Sequence, residues 1–233
     1  LAEREQEKLK TAADASAIAK GTTGNVTAAI KDGSVAATLK ALKDVADDSL
    51  GTNTLTFKST DKTADAKALV DLADLVTEDF SSVQTITSKA ADIETTSAAD
   101  VIAALALATL VGSDVTITNG TISATNAAAI SDDTAGKVTA TITPDTAFNI
   151  AGALTALVAK DALVVTVNGD TASVANLKII DAKALKVKVD AAEVTADTFA
   201  EFESIYVTGK AGFSNLGDEN ITIDAGAADM NSA

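Results

Sequence analysis

The chain has 233 residues with no Cys and no His, and its 33 acidic against 18 basic residues give a formal net charge of −15. These features exclude a disulfide framework, a Cys/His zinc site, a haem held by His and a Ser–His–Asp triad. A field of that sign also repels nucleic acid and anionic lipid. Hydrophobic residues make up 47% but aromatics only 3%, with no Trp, so the core must be built from small aliphatic side chains.

Leu1–Lys20 begins charged and becomes Ala-rich. It reads as a helix, a cap or connection distinct from residues 21–233. The opening Leu1-Ala2-Glu3-Arg4 has no Met and no apolar leader, and Ala225–Ala233 stops in mid-pattern, so the chain is expected to be a piece of a longer protein. From residue 21 onward a short Val/Ile/Thr strand, a polar turn and an Ala/Leu stretch follow one another repeatedly. The strands are expected at Val26–Ile30, Leu55–Phe57, Val83–Thr87, Val115–Thr118, Val138–Thr143, Leu163–Asn168, Leu185–Val189, Ile205–Thr208 and Ile221–Ile223. Period-two alternation places Val138, Ala140 and Ile142, then Leu163, Val165 and Val167, then Leu185, Val187 and Val189 on one buried face. Lys186 and Lys188 face the other way.

Helical stripes lie between the strands: Val35, Leu39, Leu42 and Val45; Leu69, Leu72 and Val76; Ile150, Leu154 and Leu157; Val174, Leu177 and Ile180; and Phe199 with Phe202. Asp145-Thr146 and Asp170-Thr171 are expected helix starts. Helical crossovers imply parallel strands. The expected fold is therefore an α/β repeat, a parallel β-solenoid resembling a leucine-rich-repeat coil, with strands on one wall and short helices on the other. It would run irregularly from 21 to 233. Strand-to-strand steps fall from about 30 residues to about 16 on this reading, which implies a narrowing, all-β end. The alternative is a doubly wound α/β domain. The longest mainly apolar run, Val101–Val111, is too short to span a bilayer.

Carboxylates are the only reactive groups present in number. Asp47-Asp48, Asp132-Asp133, Asp170, Asp190 with Glu193, and Asp218-Glu219 stand out. Asp132, Asp133, Asp170, Asp190 and Asp218 are the candidate metal ligands, with calcium as the ion, because calcium takes clustered turn oxygens. Solvated turns and helix caps are the competing explanation, since no EF-hand spacing is present. A carboxylate pair also serves glycoside hydrolysis, but one Tyr and one Arg leave little to hold a sugar. No phosphate loop and no GxSxG elbow occurs. Outward Thr rows, Thr116/Thr118 and Thr139/Thr141, would make a surface ladder, but Val164/Thr166 and Lys186/Lys188 interrupt it.

Ile122–Ile142 (ISATNAAAISDDTAGKVTATI) and Ala211–Ala225 (AGFSNLGDENITIDA) resemble the Thr/Ala/Asp-rich repeats of very large secreted proteins of cyanobacteria and other aquatic bacteria. Those repeats lie beside calcium-binding, haemolysin-like modules. The resemblance implies an extracellular or surface-attached protein and supplies no catalytic residues. The calcium nonapeptide GGxGxDxUx is absent, and Asn168-Gly169-Asp170 is its nearest approach. The expected function is non-enzymatic: a surface layer, filament, sheath or adhesin stalk that associates with copies of itself. Divalent cations or surface glycans are its further expected partners, with no nucleic acid and no membrane span. The alternatives are a phage tail fibre or virion decoration and a carbohydrate-active enzyme.

Overall fold

The computed structural model describes residues 11–21, 26–43, 54–96, 98–107, 109–157 and 161–223. In chain order the first elements are α1 (Ala12–Gly21), β1 (Thr27–Ala29), α2 (Val35–Lys43), β2 (Thr54–Lys58), β3 (Thr63–Asp65), α3 (Ala66–Ala73), β4 (Thr77–Asp79), β5 (Thr85–Lys89), α4 (Ala90–Thr96) and α5 (Ala99–Leu105). Then come β6 (Asp114–Thr118), α6 (Ala124–Asp133), β7 (Val138–Thr141), β8 (Asp145–Thr146), α7 (Ala147–Leu154), β9 (Ala162–Asn168), β10 (Thr171–Ser173) and α8 (Val174–Lys183). The last are β11 (Lys186–Val189), β12 (Glu193–Ala196), α9 (Phe199–Glu203), β13 (Phe213–Ser214) and β14 (Asn220–Ile223). They fall into two compact units. One comprises Leu1–Ser88, Ala99–Val115 and Thr134–Gly136; the other comprises Lys89–Ala98, Thr116–Asp133 and Lys137–Ala233.

In the first unit β1, β2 and β4 form a parallel three-stranded sheet, with Leu55 opposite Ala28 and Thr56 opposite both Ala29 and Thr77. β3 pairs in parallel with β5. Apolar positions of α2 (Val35, Leu39, Leu42), α3 (Ala66, Leu69, Leu72) and α5 (Val101, Ala104, Leu105) are buried, together with Leu55, Phe57, Phe80 and Ile86 of the strands and loops. Asp71 joins two helices by binding Lys43 of α2 and, at 3.0 Å, Lys67 of α3. Burial pushes its carboxyl up, but the two ammonium groups outweigh that and hold it below the usual range.

In the second unit β7, β9, β11 and β13 run parallel in that order, and β8 also pairs with β9. A separate parallel sheet has the order β10-β12-β14. Val138, Ala140 and Ile142, and Leu163, Val165 and Val167, are buried as the alternation requires. Val187 and Val189 are also buried, but Leu185 is exposed because it precedes β11. Thr141 stands beside Val164 and Thr166 beside Lys188, so the surface Thr rows are interrupted in register.

The expected one-walled solenoid is therefore corrected. The chain forms a mixed α/β fold whose described strands make three mostly parallel sheets, and its helix-linked parallel strands read as a layered, Rossmann-like arrangement. This lies nearer the layered α/β alternative. The physical cause is a second short strand that follows many of the first ones. β9 is succeeded, after the Asn168-Gly169 turn, by β10, which pairs with β12 and not with the sheet of β9's own neighbours. Gly169 has φ +104°, and a Cβ there would meet Thr146 Cγ2 at 3.3 Å, so this turn requires glycine.

These short strands end on the helix caps. The Asp65 carboxylate accepts from Ala68 N–H at 3.1 Å, and Ser123 Oγ accepts from Asn126 N–H at 3.1 Å. Thr146 Oγ1 caps Asn149 at 3.3 Å and Ser173 Oγ caps Asn176 at 3.2 Å. Thr146 thus starts α7 as expected, whereas Asp170-Thr171 leads into β10 and Ser173 starts α8. Val76 and Leu157 are buried but lie past the ends of α3 and α7. Ile205–Thr208 is not a strand: α9 continues into a wide π turn at Ser204–Thr208. The shortest of the late steps came from counting that turn, and α8 and α9 occupy the end expected to be all-β. Residues 1–10, Val45 and Asp47-Asp48 lie outside the described residues.

Candidate functional site: an apolar cleft beside an open strand edge

The candidate metal ligands do not converge. Asp132 and Asp133 are the exposed last residues of α6, Asp170 is exposed in the turn before β10, and Asp218 is exposed in the turn before β14. Asp190 follows β11, where Lys188 Nζ binds it at 2.7 Å and Asn215 Nδ2 donates to it at 2.7 Å. The Lys188 ammonium holds its carboxyl below the usual range against burial, and Asn215 adds to that effect. Glu193 accepts from the Thr222 hydroxyl, so Asp190 and Glu193 serve separate contacts. Among the described residues no three acidic side chains are grouped to hold a metal.

A buried carboxylate that sequence reasoning missed is Asp161. It accepts from Ser131 Oγ at 2.7 Å and from Val138 N–H at 3.0 Å. Asp61 accepts from Val35 N–H at 2.8 Å, and Glu94 accepts from Ser123 N–H at 2.8 Å and from Asn126 Nδ2 at 3.1 Å. These three carboxylates stitch segments 23 to 32 residues apart. A hollow of about 420 Å³ includes Glu94, Asp145 and Asn149. Asp145 and Asn149 are already engaged with each other, since Asp145 Oδ1 accepts from Asn149 Nδ2 at 3.0 Å and from Thr146 N–H at 2.7 Å.

The region with unspent binding capacity lies between residues 199 and 223. A capping box starts α9: Thr198 Oγ1 accepts from Glu201 N–H at 3.3 Å, and Glu201 Oε2 accepts from Thr198 N–H at 3.3 Å and from Asp197 N–H at 2.8 Å. Phe202 then points into the core, while Phe199 remains 72% exposed. The π turn that follows places Tyr206 against Phe202, with ring centroids 5.9 Å apart. Tyr206 donates its hydroxyl to Glu219, whose carboxylate also accepts from Gly217 N–H at 2.9 Å and from Asp218 N–H at 3.0 Å. Burial, and then this bond to a carboxylate, push the Tyr206 phenol above its ordinary range.

Val207 is 69% exposed, and Ile221 and Ile223 of β14 are 54% and 45% exposed. Together with Phe199, Phe202, Glu203 and Tyr206 they line a cleft of about 320 Å³. β14 pairs with β12 on one side, and among the described residues no strand pairs with its other side. An open strand edge and clustered exposed apolar side chains are features that mark surfaces able to take a partner. The sequence signal was available, because three of the six Phe and the single Tyr fall between 199 and 213.

Among the described residues no helix is long and apolar enough to cross a membrane. No family model, curated protein or solved structure matches the chain.

Proposed function

We propose that the chain is a non-enzymatic structural protein that acts outside the cell by associating with copies of itself through the cleft at Phe199–Ile223. The observation that carries this reading is the exposure of Phe199, Val207, Ile221 and Ile223 around one cleft, next to the unpaired side of β14. Fully covering a large apolar side chain is worth about 1.5–3 kcal/mol; these four are already partly covered, so their joint contribution is smaller and works against the cost of association. The expected role is that of a surface layer, sheath, filament or stalk, in which a repeated contact does the work. The Thr/Ala/Asp-rich segments support an extracellular setting by resemblance.

The test is sedimentation velocity over a wide concentration range, comparing the wild type with Val207→Glu. The expected outcome is concentration-dependent association that the variant weakens by about tenfold or more. A closed trimer would move the protein to the virion-fibre class. A wild type that stays monomeric at every concentration would sink the self-association reading.

A further inference from the structure

We propose that the occupant of this cleft is the α1–β1–α2 face of a second copy, so that association runs head to tail. This inference rests on the self-association reading and adds which surface the cleft receives. Its first support is charge. Residues 193–223 carry six carboxylates against the lone Lys210, a net −5, whereas the four Lys of residues 11–43 are balanced by Asp14 and Asp32 and by Asp61 and Asp71, which bind α2 at Val35 and Lys43, so that this face is near neutral in a chain of net −15. Two clefts facing each other would set −5 against −5, while a cleft facing α1–β1–α2 avoids that repulsion and meets the exposed Lys31 and Lys40.

The second support is the backbone. β1 has a strand partner on one side only among the described residues, as β14 has, and each pairs with its neighbour in parallel. Each sheet thus offers an edge that a like-directed strand extends. The third is shape. An apolar hollow of about 260 Å³ lies between α1 and α2, walled by Ala12, Ile30, Ala37 and Ala41 with Lys31 beside them. It gives a projecting apolar side chain from the next copy a place to go. Because the two surfaces differ, the contact is heterologous and leaves each end of a pair with one of the two surfaces open to a further copy.

The full chain tests this with two charge reversals on exposed residues away from the caps, Lys31→Glu with Lys40→Glu, and Glu203→Lys with Asp218→Lys. Sedimentation and far-ultraviolet circular dichroism are recorded for each. Each folded double variant alone is expected to associate about tenfold more weakly than the wild type, and an equimolar mixture of the two is expected to recover association. Wild-type association is expected to weaken as salt rises from about 0.05 to about 0.5 M, a readout that needs no variant. If Val207→Glu abolishes association while Lys31→Glu with Lys40→Glu leaves it intact, or if the wild type stops at a dimer, the cleft has a different occupant: this inference is overturned and the self-association reading stands. A wild type monomeric throughout overturns both.

Discussion

Asp161 carries more of the structure than any of the carboxylates that attract notice in the sequence. Its side chain is buried and holds Ser131 of α6 and the Val138 amide that opens β7. Asp161→Ala leaves two donors without an acceptor and is expected to cost about 2–3 kcal/mol in chemical denaturation. Asp79 offers a test by titration. The Ser81 hydroxyl, the Ser81 N–H at 3.0 Å and the Lys58 ammonium hold its carboxyl at about 2, below the ordinary 3.8. A depressed carboxylate stabilises the fold fully above 3.8, and that contribution is lost as pH falls towards about 2. Carbon-detected NMR titration should place the Asp79 midpoint near that value, and Ser81→Ala should raise it. Doubled acids such as Asp132-Asp133 were conspicuous in the sequence but end a helix in solvent. Asp161 was not legible, because its partners lie 30 and 23 residues away.

At the scale of elements, the longer strands and the helical stripes were legible wherever one face is buried. Leu163, Val165 and Val167 alternate, and Val174, Leu177 and Ile180 recur, because each set has a core to meet. The short strands were not legible. Thr63-Ala64-Asp65 and Thr171-Ala172-Ser173 have only three residues each, too few for a period, and their signature is the cap residue that ends them. Ile205-Tyr206-Val207 misled for the opposite reason: its residues have high strand propensity, yet the capped start of α9 carries them into a helical turn. Removing that start with Thr198→Ala is expected to cost about 1 kcal/mol, measured by thermal melting. Gly120→Ala should cost at least about 1 kcal/mol, because Gly120 has φ +141° and an added Cβ would lie 3.1 Å from Ala90 Cβ.

At the scale of the whole molecule, the rhythm of the chain announced parallel strands linked by helices but not how many sheets they would fill. That number depends on whether a turn leads directly to a helix or first to a second strand, a choice made by residues such as Gly169 with its positive φ. The candidate ion site was legible only as chemistry: the carboxylates exist, but the fold keeps Asp132, Asp133, Asp170, Asp190 and Asp218 from forming a shared ligand set among the described residues. Melting with and without EDTA tests calcium directly, and a clear fall on chelation would show a cation bound to the chain.

The placement of Tyr206 has a practical consequence. The chain has no Trp and one Tyr, and that Tyr lines the cleft beside Phe202. The near-ultraviolet emission of the entire protein therefore originates almost wholly from the surface proposed to meet a partner. Whatever covers that surface, or prises Glu219 from the phenol, is reported by an intrinsic probe already in position. Dilution, salt and competitor titrations can then be followed optically on the unlabelled chain.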